Sequence, residues 1–308
     1  MRIVFMGTPD FAVPCLQRLL ADGEEVVGVF TQPDKPKGRG YELTPPPVKA
    51  EAVLHGIPVF QPNSMRNGEA LEMLKNLNPD LSIVVAYGKI LPKEILELPK
   101  FGSVNIHASL LPRYRGAAPI QWCVLNGETQ TGVTSMQMNE GLDTGDMFLS
   151  KSMPIPPDMT AGELHDALSV LGADVMSETV KAIRENTLKP VPQPAESNYA
   201  PMLTKALCPI DFHKSAQEIH NQVRGLCPWP SATAIFGGKR LKIHKTRCAN
   251  VSTDALPGTV IAVDDGITVA CGDGKAVEIL ELQPEGKKRM TAKAFLVGHS
   301  VKTGDTFQ

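Results

Sequence analysis

The sequence predicts an α/β protein: a Rossmann-like domain with a mostly parallel sheet, followed by a smaller C-terminal β-barrel of the OB type. Three observations carry that expectation. Short apolar runs of buried-strand character alternate with helical patterns through the first half of the chain. A proline-rich stretch, with Pro190, Pro192 and Pro194 followed by Pro201 and Pro209, then interrupts the pattern. Beyond it lie short β-rich runs separated by glycine turns, five of them in about 60 residues. A chain of 308 residues allows two domains, at roughly 100–200 residues each. The expected division is 1–187, a linker at 188–207, and 208–308.

Each element has its own reason. Arg2-Ile3-Val4-Phe5-Met6 is an apolar run ended by the turn Gly7-Thr8-Pro9-Asp10, as a buried parallel strand would be. Residues 11–20 follow as a helix, with Pro14 tolerable in its first turn. Further strands are expected at 25–31, 81–86 and 103–106, with a helix at 70–77. Residues 131–138 and 147–155 read as more amphipathic strands at the sheet edge. Thr160 with Glu163, and Ser215 with Glu218, have capping-box spacing and start helices over 160–185 and 215–226. The barrel strands are expected at 232–236, 241–247, 258–263, 267–270 and 277–282.

Composition excludes several classes. Hydrophobic residues are 42% and charged residues 21%, so wholesale disorder is excluded. The net charge of −2 excludes a polycation that grips nucleic acid by bulk charge. From Leu207 onward there are 13 Lys and Arg against 10 Asp and Glu, whereas the preceding residues carry 18 against 23. The tail is thus mildly basic. The six cysteines form no C-x-x-C pair, which disfavours a zinc knuckle or a disulfide scaffold and suits free thiols in a reducing compartment. The N-terminal apolar run is too short for a signal peptide, and residues 81–91 are too short for a bilayer span. A soluble cytoplasmic protein is expected.

The chemistry is also bounded. Gly7-Thr8-Pro9-Asp10 lacks G-x-G-x-x-G, and no acidic residue ends the second strand, so a dinucleotide oxidoreductase is disfavoured. There is no Walker A sequence and no G-x-S-x-G elbow. Asn105-Ile106-His107 stands out. Its two polar residues are two apart on a strand end, so they share a face at the carboxyl edge where open α/β sheets place ligands. Further on, Gly141-Leu142-Asp143-Thr144-Gly145-Asp146 sets a carboxylate between glycines. An amide can bond an oxyanion, an imidazole can move a proton, and a carboxylate can support the imidazole. That set suits direct acyl transfer to an amine through a tetrahedral adduct. Taken singly, His107 reads equally as a packed residue, Asn105 as a turn cap and Asp143 as an Asx-turn. No metal is expected, because His107 has no second ligand at a recognised spacing.

Asn105-Ile106-His107, the 109–119 loop SLLPRYRGAAP and GLDTGDM at 141–147 resemble the folate-dependent formyltransferases. FMGTPDFA at 5–12, QPDK at 32–35 and AYGKILP at 86–92 fit the same family. Gly38-Arg39-Gly40, NQVRGLCPWP at 221–230 and FLVGHSVKTGDTF at 295–307 resemble the members that formylate methionyl initiator tRNA. The chain departs from their pattern at 205–212 and at Cys227.

The resemblance implies 10-formyltetrahydrofolate as formyl donor and the α-amino group of initiator methionyl-tRNA as acceptor. It implies that Asn105 bonds the formyl oxygen, that His107 stabilises the adduct and relays a proton, and that Asp143 orients His107. Folate would lie along Tyr87, Gly88 and Ile90 and along Ser109, Leu110, Leu111 and Pro112. The segment 34–49, by composition a solvated loop, would meet the tRNA acceptor end through Lys35, Lys37 and above all Arg39. Lys239, Arg240, Lys242, Lys245 and Arg247 alternate with apolar residues, so a strand there would aim cations outward to duplex RNA backbone. By composition alone they are a solvated barrel face. One active site can be completed within one chain, so a monomer is expected. Two alternatives share the catalytic trio: a formyltransferase of another amine such as an amino-sugar nucleotide, and a formyltetrahydrofolate hydrolase. A catalytically silent RNA-binding protein is the alternative outside the class.

Overall fold

The computed structural model describes residues 1–37 and 42–308, so Arg39 lies outside the described residues. The chain divides into two compact units, each assembled from more than one stretch. Unit 1 comprises Met1–Gly116, Thr131–Met153 and His165–Tyr199; unit 2 comprises Ala117–Gln130, Pro154–Leu164 and Ala200–Gln308. The sequence-derived boundaries at 188–207 therefore do not coincide with the packing division. His165–Tyr199, which includes residues 188–199 of the expected linker, packs with the first unit.

The first unit is a seven-stranded sheet. Its elements are β1 (Arg2–Gly7), α1 (Val13–Ala21), β2 (Glu25–Phe30), β3 (Lys35–Lys37), β4 (Glu42–Thr44), α2 (Pro47–Leu54), β5 (Val59–Phe60), α3 (Glu69–Leu77), β6 (Leu81–Val85), α4 (Lys93–Leu96), β7 (Ser103–His107), β8 (Arg115–Gly116), β9 (Gln130–Gln137) and β10 (Met147–Pro154). From His165 onward the long helix α6 (Ala161–Arg184) belongs to this unit, whereas α5 (Pro119–Leu125) belongs to the second. The strand order is β10-β9-β7-β6-β1-β2-β5. β1 pairs in parallel with β2 and β6, β6 in parallel with β7, and β7 antiparallel with β9.

Strands β1 and β6 are buried because they lie at the centre, with helices on the sheet's faces. Ile3, Val4, Phe5 and Met6 have no exposed surface. Met6, Val84, Leu74 and Ile95 belong to one packed cluster. Burying each such side chain is worth roughly 1.5–3 kcal/mol. From β1 the chain runs outward through β2 to β5, then returns to β6 on the other side of β1. That reversal is a switch point, where ligands sit outside the carboxyl ends of the strands. There Thr8 Oγ1 donates to the Tyr87 carbonyl at 2.9 Å, tying the ends of β1 and β6 together.

Two expectations need correction. β10 is the edge strand as expected, but β9 is interior, with six consecutive buried residues. Its hydroxyls suggest exposure but are satisfied inside: Thr134 Oγ1 donates to the Ser109 carbonyl at 2.8 Å, and Ser135 Oγ lies 2.7 Å from Thr179 Oγ1. The described parts of segment 34–49, residues 34–37 and 42–49, also carry regular structure in place of a solvated loop. β3 and β4 pair as an antiparallel ribbon, and Pro47 opens α2. At the ribbon's base Lys49 Nζ lies 2.7 Å from Asp34 Oδ2, and Gln61 Nε2 donates to Asp34 Oδ1 at 2.8 Å. Bonds from Lys49 and Gln61 hold the Asp34 carboxyl below its ordinary range. Lys49 is thus committed to the protein.

The second unit carries a single 3-10 helical turn at Lys205–Leu207, α7 (Ala216–Gly225) and, after β11 (Tyr199–Ala200), the strands β12 (Ala232–Phe236), β13 (Lys239–Ala249), β14 (Val260–Val263), β15 (Ile267–Ala270), β16 (Ala276–Pro284) and β17 (Met290–Thr291), ending in α8 (Ala292–Gly298). The Ser215–Glu218 capping box forms as expected. The antiparallel order is β12-β13-β16-β15-β14. The C-terminal residues then join the two edge strands. Gln308 N donates to the Ile235 carbonyl at 2.9 Å, and Val260 N donates to the Asp305 carbonyl at 2.8 Å. The sheet is closed through this segment, which leaves no long bare edge.

In β13 simple alternation would place Lys245 and Arg247 on the same face as Leu241 and Ile243. The register against β16 shifts at His244 and again beyond Lys245. This bulge resets the phase. Leu241, Ile243 and Thr246 are buried, whereas Arg240, Lys242, Lys245 and Arg247 are exposed. The expected outward cations are present, but the bulge is what aligns them. Arg247 is paired with Glu278 at 2.5 Å.

Candidate active site

The trio comes together in the first unit. β7 ends at His107, whose ring is buried, and presents Asn105 on the same face. Asp143 is delivered by the loop after β9. Asn105 Nδ2 approaches Asp143 Oδ1 at 3.5 Å, and His107 Nδ1 lies 3.7 Å from Asp143 Oδ2. A carboxylate oxygen accepts only, so the nitrogen end of the Asn105 amide faces Asp143. An amide nitrogen carries a second N–H beyond the one aimed at Asp143.

What orients His107 differs from the expectation. Its Nε2 lies 2.9 Å from the Tyr114 carbonyl. A carbonyl cannot donate, so Nε2 carries the hydrogen of that bond, and Nδ1 is the ring nitrogen turned toward Asp143. Tyr114 therefore fixes the ring from one side, and Asp143 faces the other nitrogen. Asp143 is itself held by Gly116, whose N–H donates to Oδ2 at 2.8 Å. Tyr114 and Asp143 both adopt left-handed backbone, with φ of +58° and +52°. Such conformations cost about 1–3 kcal/mol each in a non-glycine residue and persist where surroundings enforce them.

The glycines flanking Asp143 matter unequally. A Cβ on Gly145 would collide with the backbone carbonyl of Gln137 in β9, whereas at Gly141 the obstacle is the Thr144 hydroxyl. Close backbone approach explains Gly145. Asn139 Oδ1 accepts from Gly141 N at 3.0 Å and from Thr144 Oγ1 at 2.9 Å, shaping the turn.

The residues expected along folate divide into two groups. Gly88 (φ +80°) and Ile90 are exposed and help line a cavity of about 470 Å³ with Gln32, Asn63, Met65 and Lys89. Tyr87 is buried, with its hydroxyl on Met65 Sδ at 3.3 Å, and burial pushes its pKa up. Ser109 and Leu111 are also buried; Ser109 Oγ donates to the Arg113 carbonyl at 2.6 Å, and Leu111 N donates to Thr134 Oγ1 at 3.2 Å. Leu110 and Pro112 are partly exposed. The trio and residues 109–112 are not among the residues lining that cavity. Lys35 on the ribbon is exposed, and Lys37 ends β3; Lys239 is exposed at the start of β13.

Sequence reasoning missed Tyr114, Gly116 and Gln193. The first two act through backbone atoms. Gln193, in the segment read as a linker, donates from Nε2 to the carbonyls of Asp143 at 2.9 Å and Gly145 at 2.7 Å. Among the described residues, no group of three or more His, Cys, Asp or Glu is placed to hold a metal, and no helix is long and apolar enough to cross a membrane.

Comparison with known proteins places these features. Residues 1–180 match the family model described as formyl transferase, and residues 202–300 match that of the formyl transferase C-terminal domain. The methionyl-tRNA formyltransferase of Citrifermentans bemidjiense is 52% identical over 306 residues, which are 99% of this chain and 95% of that protein. That of Geobacter metallireducens is 53% identical over 305 residues, covering 98% and 97%. The fold is shared with an N-formyltransferase from Helicobacter canadensis solved with folinic acid and dTDP-3-aminofucose, with TM-score 0.70, 22% identity, and 92% and 99% of the two chains covered. It is shared too with HypX from Aquifex aeolicus in complex with tetrahydrofolic acid, with TM-score 0.63, 18% identity, and 99% and 50% covered.

Proposed function

The chain belongs to the formyl transferase family, and from that premise we propose that it carries the formyl group of 10-formyltetrahydrofolate to the α-amino group of methionine on initiator tRNA. The observation that carries this reading is the convergence of Asn105, His107 and Asp143 at the carboxyl edge of the sheet. The near-full-length likeness to methionyl-tRNA formyltransferases supports methionyl-tRNA as the acceptor. An amino-sugar acceptor would leave the basic ribbon and the cationic face of β13 without a role.

The steps follow from the atoms present. A free α-amino group has a pKa of about 7.7–8.0, so a useful fraction is neutral near pH 7. The neutral nitrogen adds to the formyl carbon while the C=O π pair moves to oxygen. The free Asn105 N–H bonds that oxyanion. His107 Nδ1 takes the proton from the new ammonium centre; the oxyanion pair then re-forms C=O as the C–N bond to folate breaks, and the departing folate nitrogen takes up that proton. Asp143 stabilises the ring while it carries the extra proton. Position and charge stabilisation do the work, with no covalent enzyme stage.

The test is formyl transfer from labelled donor to charged initiator tRNA. Asn105→Ala should lower kcat about 10²–10³-fold, the usual loss for one oxyanion donor. Turnover within a few-fold of wild type would remove Asn105 from the mechanism. Arg39→Ala should raise KM for tRNA while leaving KM for folate within about twofold, and should flatten the salt dependence of tRNA binding, as loss of a phosphate contact does. Equal damage to both substrates would place Arg39 in folding instead.

A further inference from the structure

Segment 191–198 is proline-rich and was expected only to connect, yet it touches both loops that build the site. Gln193 is the centre of this contact. Its Nε2 reaches the carbonyls of Asp143 and Gly145, and its Oε1 accepts from Arg115 Nε at 3.0 Å and Nη2 at 2.8 Å. The amide is fully specified: two carbonyls demand its nitrogen and a guanidinium demands its oxygen. Five residues on, Asn198 Oδ1 accepts from Tyr114 N at 2.6 Å, and the Asn198 carbonyl accepts from Arg115 N at 3.1 Å. At the other end Val191 and Met147 exchange two backbone hydrogen bonds at 2.8 Å.

The loops so joined are the ones that set the proton-transfer geometry. Tyr114 fixes the His107 ring from one loop, and the other loop carries Asp143. Both residues hold left-handed backbone, which the contacts of Gln193 and Asn198 brace directly.

We propose that Gln193 is a positioning residue for formyl transfer, a strap that sets the separation of His107 and Asp143 by holding the 114–116 and 143–145 loops together, with Asn198 bracing the Tyr114 side. This rests on the function proposed above. The strap touches no reacting atom. It acts through the carbonyl of Tyr114 and the backbone of Asp143. Misplacement of catalytic groups by about 1 Å can cost on the order of 10²-fold in rate.

Two substitutions separate its contacts. Gln193→Met keeps the length and removes both kinds of bond. Gln193→Glu keeps an acceptor for Arg115 and sets a carboxylate oxygen against the carbonyls of Asp143 and Gly145. Both variants should lose about 10–100-fold in kcat with KM for either substrate within about threefold. Asn198→Ala should lose less. A second readout needs no turnover. The His107 Nε2–H proton, bonded to a carbonyl, should give a protected resonance in 15N-labelled wild type that exchanges faster in Asn198→Ala and Gln193→Met. Retention of kcat within twofold in both Gln193 variants would overturn the proposal, as would a rise in KM at constant kcat or an unchanged His107 resonance. Failure of the wild type itself to transfer formyl would strike at the proposed function, and the resonance would still decide the strap. If Gln193→Met fails to fold, Gln193→Glu with Asn198→Ala decides it.

Discussion

Asp143→Asn should reduce kcat about 10²–10³-fold while leaving the melting temperature at or slightly above that of the parent. The substitution is nearly isosteric. An asparagine oxygen can still accept the Gly116 N–H that now reaches Asp143 Oδ2 at 2.8 Å. Asparagine also tolerates the left-handed backbone at φ +52° at least as well as aspartate. The substitution also removes the acceptor for Asn105 Nδ2, but that contact is long at 3.5 Å, so the main loss is the negative charge 3.7 Å from His107 Nδ1. Without it, only the Tyr114 carbonyl at 2.9 Å is left to favour the protonated ring in the proposed transfer. The check is kcat for formyl transfer beside a thermal melt. Near-parental turnover would mean that His107 works without the carboxylate.

Gly145→Ala should be nearly as damaging, with losses in both activity and stability. Its Cβ would fall on the Gln137 carbonyl, which belongs to a strand and cannot swing aside. The loop would have to lift from β9, breaking the 2.8 Å bond from Gln137 N to the Asp146 carbonyl and carrying Asp143 with it. We expect a fall in kcat of about 10²-fold or more from displaced groups. The stability loss should be about 1–3 kcal/mol, the range for forced overpacking. Activity assays with denaturant titration test both. Gly141→Ala is the control, since a side-chain hydroxyl is the obstacle there.

The sheet was legible because apolar runs such as Ile3–Met6 and Leu81–Val85 are buried on both faces and so announce themselves in hydrophobicity alone. The two capping boxes were legible because their chemistry is local. The approach of Asn105, His107 and Asp143 was legible from strand position and the glycine-flanked carboxylate, and the family likeness implied roles for them. The interior burial of β9 was not legible, because Thr134 and Ser135 find partners far away in sequence. Nor was the grip on His107, since it comes from a carbonyl that every residue possesses. Gln193 was hidden for another reason. Prolines nearby state that the chain is irregular there and say nothing about what an irregular chain touches.

The bulge at His244 has a consequence for how β13 can drift in evolution. Its outward charges depend on counting as well as on identity. Swapping one basic side chain for another leaves the arrangement intact, but one residue gained or lost between Ile243 and Lys245 would swing two ionised groups toward oil. This strand should thus be permissive in spelling and strict in length.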